Sequence, residues 1–170
     1  YLIGNRFYTD NIKDGQINQN FIFGSGVIHP VAEGSCMIQN TVKAIEALRE
    51  DSCGKCTFCR EGLFQMQCIF EDAQRGRATN TDLALVRKLA DSMSFLNNCS
   101  LGQNAAGPAV SLLDNFEDEV DEHVNKKICR SGNCGAYSNY YIDSSKCTGL
   151  GKCAQVCPED AIEFKKGYTS

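Results

Sequence analysis

Asp51-Ser52-Cys53-Gly54-Lys55-Cys56-Thr57-Phe58-Cys59-Arg60-Glu61-Gly62 is the stretch on which the fold turns. Three cysteines stand at i, i+3 and i+6 on a glycine-containing loop, and a helical apolar period begins directly behind them. This spacing lets one tight turn offer three thiolates to three irons of a cubane, leaving the fourth iron to a distant ligand. Cys99, in Asn98-Cys99-Ser100-Leu101-Gly102, is the candidate for that role. Four thiolates make a reduced cubane net negative. A helix N-terminus and nearby cations offset that charge, and Lys55 and Arg60 flank the ligands. A structural zinc held by four cysteines is the alternative. Its ligands usually come as two separated C-x-x-C pairs, and a triple followed by a lone cysteine fits that pattern poorly.

Working outward from this loop, the period is helical on both sides. Val42, Ala44, Ile45 and Leu48 suit an amphipathic helix from Thr41 to near Asp51. A second helix is expected from about Cys56 to Ala73, with Leu63, Met66, Ile69 and Phe70 on one face and Cys68 as a buried free thiol. Thr79-Asn80-Thr81-Asp82 offers N-caps for a third, carrying Leu83, Leu85, Val86, Leu89 and Met93. Pro108 suits the first turn of a fourth, which buries Val110, Leu112, Leu113, Phe116 and Val120. The expected fold is mainly α. A four-helix bundle at 39–123 holds the cluster. It is preceded at 1–38 by the end of a small β unit, where Phe21-Ile22-Phe23 and Gly24-Ser25-Gly26-Val27-Ile28 read as strand and turn. A Gly/Ser/Asn-rich connector at 124–146 and a cysteine-rich tail at 147–170 follow.

Composition narrows the class of protein. The chain has 170 residues, a net charge of −4 and eleven cysteines. The charge carries no basic stripe, which argues against nucleic acid. No apolar run has transmembrane length, and the N-terminal residues lack the apolar core of a signal peptide. An odd cysteine count in short-spaced clusters, without a secretion signal, argues against a disulfide framework and for metal ligation in a reducing compartment, the cytoplasm or an equivalent organelle matrix. The chain has no initiator Met and begins as if inside a strand, so a piece of a longer polypeptide is expected.

Three stretches carry a resemblance. These are Ser52 to Gly62, Cys99-Ser100-Leu101-Gly102-Gln103-Asn104-Ala105-Ala106-Gly107-Pro108, and Phe116 to His123. Together they resemble the C-terminal part of the NADH- and FMN-binding flavoprotein subunit of complex I. In layout they are still more similar to the beta subunit of NAD-linked, often electron-bifurcating, [FeFe] hydrogenases and formate dehydrogenases. Gly24-Ser25-Gly26 followed by Ser35-Cys36-Met37 resembles the end of that family's ubiquitin-like (SLBB-type) domain. Phe58 departs from the family's usual proline between the second and third ligands. The resemblance implies a [4Fe–4S] cluster on Cys53, Cys56, Cys59 and Cys99 that passes single electrons from a flavin, with Arg60, and Lys55 beside it, toward the flavin side. It also implies partner subunits: a thioredoxin-like [2Fe–2S] protein and a larger iron–sulfur catalytic subunit. No glycine-rich phosphate loop occurs in these residues, so the NADH and FMN site is expected in parts not shown, on another chain, or nowhere. A non-redox structural or assembly subunit is the competing function.

Two further cysteine groups remain. His123, Cys129 and Cys134 have the spacing H-x5-C-x4-C, and with Cys36 they make three cysteines and a histidine, a common zinc combination. The resemblance supports this, since hydrogenase-type subunits continue past the bundle through such a connector. The alternative is a solvated helix-end His123 and a buried apolar Cys36. In the tail, Tyr140-Tyr141-Ile142-Asp143-Ser144-Ser145-Lys146-Cys147 resembles the entry to a ferredoxin unit, whose run is C-x2-C-x2-C-x3-C-P. Cys147, Cys153 and Cys157-Pro158 fill three positions, and Leu150 occupies the second. Three outcomes stay open for a second iron–sulfur site there: an altered cluster, an apo remnant used for docking, or a ligand borrowed from elsewhere.

Overall fold

From Ile38 to Leu48 an apolar residue recurs every three or four positions, and the chain there forms helix α1 (Met37–Asp51), burying Ile38, Val42, Ile45 and Leu48. The computed structural model describes residues 2–3, 5–9, 28–137, 147–158 and 162. Helix α2 (Thr57–Gln74) follows the cysteine loop and buries Leu63, Met66, Ile69, Phe70 and Ala73. Helix α3 (Asn80–Leu96) starts on a capping box: the Asp82 carboxylate accepts the Thr79 amide at 2.8 Å and the Thr79 hydroxyl at 2.7 Å, satisfying a donor that has no partner within the helix. Val86, Ala90 and Met93 face inward.

Beyond Cys99 the chain breaks into short pieces. Helix α4 (Ser100–Asn104) leads into α5 (Gly107–Asn115), whose first turn holds Pro108. Phe116 leaves helical geometry at φ −133° and ψ 38° before α6 (Glu117–Asp121) resumes. The expected fourth helix is therefore divided, and its last turn widens to a π-helical one at Glu122–Lys126. The expected first helix also starts earlier, at Met37 rather than Thr41. Cys68 is half-buried rather than in the core.

Helix α1 packs along α2, α2 along α3, and α5 against both α1 and α3. The core between them holds Phe70, Met66, Ile45, Met93, Leu112 and His123, each less than 2 % exposed. Each such apolar side chain contributes about 1.5–3 kcal/mol by leaving water. Three short antiparallel strands, β1 (Leu2–Ile3), β2 (Arg6–Phe7) and β3 (Ile28–His29), pair in the order β2-β1-β3. The Phe7 amide donates to Ser111 Oγ and Asn115 Nδ2 donates to the Phe7 carbonyl, both at 2.8 Å, so β2 is tied to α5. Gly107 makes this possible, because a Cβ there would collide with the Asn5 carbonyl. The strand and turn expected at Phe21–Val27 lie outside the described residues.

Residues 139–170 form a second compact unit. Its described part holds α7 (Lys152–Val156), entered through Gly151 at φ +64°. The ferredoxin-like entry Tyr140–Lys146 lies outside the described residues. Among the described residues, no helix is long and apolar enough to cross a membrane.

Candidate metal centres

Cys36, His123, Cys129 and Cys134 are far apart in sequence and converge in space, with their four ligand atoms all within 4.8 Å of one another. Cys36 is the N-cap residue of α1, and its thiol makes no capping bond. It faces His123 Nε2 at 3.4 Å and Cys134 Sγ at 3.6 Å, and Cys134 Sγ lies 3.6 Å from His123 Nε2. A tetrahedral zinc with bonds of about 2.3 Å to sulfur and 2.0–2.1 Å to nitrogen needs ligand-to-ligand edges of about 3.6–3.8 Å. The donor types and the three distances among Cys36, His123 and Cys134 suit that ion, with Cys129 within 4.8 Å of the other three.

Local structure explains how each donor is aimed. The π turn carries His123 inward, where it is fully buried, and π turns are frequent at functional sites. Its Nδ1–H donates to the Glu119 carbonyl at 2.8 Å, which fixes the tautomer and leaves the Nε2 lone pair for a metal. The Tyr137 ring meets the imidazole edge-on, with centroids 5.4 Å apart. The Tyr137 hydroxyl reaches the Ala73 carbonyl and lies 2.9 Å from the His123 carbonyl. Glu119 acts twice. Besides its carbonyl, its buried carboxylate accepts the Met37 amide at 2.8 Å, anchoring the start of α1 and so Cys36. Arg130 makes a two-pronged ion pair with Glu122, both contacts at 2.8 Å, and braces the Cys129–Cys134 loop against the π turn. Sequence reasoning missed Glu119 and Tyr137. The only signal for Glu119 was its place four residues before His123.

The electrostatics match a set of thiols and imidazole pressed together. Burial opposes charge on His123, but hydrogen bonds from its ring to Cys36 and to the Glu119 carbonyl prevail and raise its pKa to about 9. Burial also opposes the Cys129 thiolate, yet Ser131, with Oγ 3.0 Å from its sulfur, and Cys134 bring it down to about 6. Burial and the adjacent Cys36 push Cys134 well above the ordinary thiol range. A metal entering at neutral pH displaces protons, so affinity weakens as pH falls.

The second cysteine set lies at one end of the helices. Cys56 is the N-cap of α2 and Cys59, in its first turn, is buried. Cys53 and Cys99 are exposed, so this set is not wholly buried in the chain. Gly54 turns the loop at φ +70°, a conformation glycine adopts without strain. The Arg60 guanidinium holds the turn by donating to the Gly54 carbonyl at 2.7 Å while pairing with Glu61. Ser52 Oγ lies 3.2 Å from Cys59 Sγ. Lys55 is exposed. Gly62, one turn into α2, lies so close to Met93 that a Cβ would come within 2.9 Å of the thioether sulfur. This contact sets the start of α2 against the end of α3, and the turn carrying Cys99 departs from that same end. There Asn97 Nδ2 donates to the Gly102 carbonyl at 2.8 Å, and Cys99 Sγ accepts the Gly102 amide at 3.5 Å. Four thiols on two turns, one of them accepting a backbone N–H from Gly102, are the donor type an iron–sulfur cluster takes. In the second unit, Cys153 is exposed on α7, and Cys147 and Cys157 on either side are half-buried.

Residues 39–123 match the family profile described as the NADH-ubiquinone oxidoreductase-F iron-sulfur binding region, and residues 140–163 match a 4Fe-4S binding domain. The NADP-reducing hydrogenase subunit HndC of Solidesulfovibrio fructosivorans is 34% identical over 145 residues, covering 85% of this chain and 30% of that protein. The F subunit of the NADH-quinone oxidoreductase of Streptomyces coelicolor is 31% identical over 108 residues, covering 64% of this chain and 24% of that protein. Among solved structures, an NAD+-reducing [NiFe]-hydrogenase in the H2-reduced state aligns with TM-score 0.51 and 25% identity, over 54% of this chain and 16% of that one. The chain spans about a quarter to a third of the length of the relatives it matches.

Proposed function

Because this chain belongs to the family of the NADH-ubiquinone oxidoreductase-F iron–sulfur binding region, we propose that its iron–sulfur electron-transfer module is one station of a multisubunit NAD(H)-linked oxidoreductase of the hydrogenase or formate dehydrogenase type. Cys53, Cys56, Cys59 and Cys99 would hold a [4Fe–4S] cluster, which when bound supplies a one-electron site. The close packing of Gly62, just behind the cysteine loop, on Met93, six residues before Cys99, supports this reading. Arg60 fixes the Gly54 turn between the first two ligands, and exposed Lys55 beside it would offer a cation to an anionic flavin. FMN and NAD(H) themselves belong to parts outside these residues. Partners would include a thioredoxin-like [2Fe–2S] subunit and a larger iron–sulfur catalytic subunit, in a reducing compartment such as the cytoplasm. The matching part of a respiratory flavoprotein subunit is the second form of the same reading, favoured by the NADH-quinone oxidoreductase relatives.

The described helices would act as a bundle around this cluster, with the strands at 1–38 ending a ubiquitin-like unit and 147–170 forming a ferredoxin-like tail with a second iron–sulfur site on Cys147, Cys153 and Cys157. Zinc on Cys36, His123, Cys129 and Cys134 would clamp the connector at 124–146 to the start of α1. Analysis of the purified protein for iron, acid-labile sulfide and zinc, with EPR after anaerobic reduction, tests the assignment. A reduced-cubane signal and about one zinc per chain are expected. Protein without iron and sulfide would leave the structural or assembly role standing instead. Glu119→Ala should weaken Zn2+ binding about 10–100-fold, read by chelator competition, because both α1 and Cys36 lose their anchor. Unaltered affinity would show that Cys36 is held without it.

A further inference from the structure

Of the four sulfurs assigned to the cluster, that of Cys59 belongs to the buried residue. Cys59 is 5% exposed, whereas Cys53 and Cys99 are exposed and can take hydrogen bonds from water. A buried thiolate has to find its donors inside the protein. Ser52 supplies one. It ends α1 in extended geometry, φ −72° and ψ 130°, with its amide donating to the Arg49 carbonyl at 3.2 Å. Its Oγ lies 3.2 Å from Cys59 Sγ. The Gly54 amide donates to the same Oγ at 3.3 Å. These contacts set the direction of the bond. A hydroxyl has one hydrogen, its oxygen already accepts from Gly54, and a thiolate sulfur can only accept. The hydroxyl hydrogen therefore goes to sulfur. Ser52 closes α1 and Cys59 opens α2, and these two helices pack along one another, so helix packing as well as the loop holds donor and acceptor together.

We propose that the Ser52 hydroxyl tunes the reduction potential of the cluster by donating a hydrogen bond to the Cys59 thiolate. The inference rests on the assignment of a [4Fe–4S] cluster to Cys53, Cys56, Cys59 and Cys99. One-electron reduction, by a flavin in the proposed complex or by dithionite in a titration, makes and breaks no bond at Cys59. It adds one negative charge, shared in part by the ligand sulfurs, and the hydroxyl proton stays on oxygen. A hydrogen bond strengthens as its acceptor gains charge. The bond from Ser52 thus stabilises the reduced form more than the oxidised one and raises the potential. Burial of Cys59 enlarges the effect, since a fixed dipole acts more strongly in a low dielectric.

The test is an EPR-monitored redox titration of the full protein, purified anaerobically and titrated with dithionite. It compares the unsubstituted chain with Ser52→Ala, Ser52→Thr and Ser52→Val. The signal followed is the one that Cys56→Ser removes, which separates it from any cluster elsewhere in the chain. Iron and sulfide per chain are expected to stay the same in all four proteins. In Ser52→Ala and Ser52→Val the reduced fraction at a fixed potential is expected to fall about tenfold, a negative shift of about 59 mV for a one-electron couple. Ser52→Thr keeps a hydroxyl and is expected to keep the potential. Its comparison with Ser52→Val, of the same shape, isolates the hydroxyl from packing. One potential shared by all four proteins overturns the proposal and leaves the cluster assignment standing. Iron lost from the variants without a hydroxyl but kept in Ser52→Thr also overturns it, making Ser52 a support of the loop instead. Unsubstituted protein without iron and sulfide, or with a reduced signal that Cys56→Ser leaves in place, overturns the cluster assignment and this inference with it.

Discussion

His123→Ala is expected to lower bound zinc from about one per chain to near zero and to leave the iron content unchanged. The imidazole is the single non-sulfur donor among four atoms gathered within 4.8 Å, and it sits fully buried at the centre of the site. Removing it leaves three thiols, two of them buried and 3.6 Å apart, which cannot all ionise in a low-dielectric pocket. The edge-on contact with Tyr137 goes with it. Structural zinc in small domains is bound with about 10–16 kcal/mol of apparent free energy, comparable with the ~5–15 kcal/mol that holds a whole domain together. The melting temperature should therefore fall by at least ~10 °C. His29, the other histidine of the chain, is exposed, and His29→Ala is the control that keeps both zinc and stability. Zinc that survives in His123→Ala would remove the assignment.

Cys56→Ser is expected to give the opposite pattern: iron falls, zinc stays, and electron flow through the proposed parent complex drops to background. Loss of stability is the usual confound when a cluster ligand is removed. Here the geometry works against it. Cys56 is the N-cap of α2 and its thiol makes no capping bond. Serine is among the preferred N-cap residues, worth about 0.5–2 kcal/mol over alanine, so the helix start gains a cap as the cluster loses a ligand. Cys68→Ser, half-buried in the middle of the same helix, serves as the control and should retain iron. Full electron flow in Cys56→Ser, with iron lost, would favour the non-redox assembly role.

Helix α2 was legible to within a residue at each end, Cys56–Ala73 expected against Thr57–Gln74 observed, because its apolar period and its cysteine loop are local signals. The start of α1 was not. Its first turn is fixed by Glu119, 82 residues away, and no pattern near Met37 announces that. The division of the fourth helix at Phe116 and the π turn after it were hidden for a related reason: the apolar spacing through Val120 reads as one continuous helix. The donors at Cys36, His123, Cys129 and Cys134 could be chosen from residue type and spacing. Their convergence, and the supports from Glu119 and Tyr137, come from tertiary packing alone. Leu150 was visible in the sequence as an interruption of a run; its exposure was not.

The separation of the donors of the proposed zinc site has a consequence for the order in which the protein would mature. Cys36 lies 87 residues from His123 and 98 from Cys134, and closing such loops costs chain entropy that no local element offsets in advance. His123, Cys129 and Cys134 lie close together in sequence, so they can meet an ion early, but as an incomplete three-donor set. Cys36 joins only when α1 has docked with Glu119 at its amino end. Tight metal retention would then be a late event in folding, and a newly made chain that held zinc against a chelator would be one whose helices had already assembled.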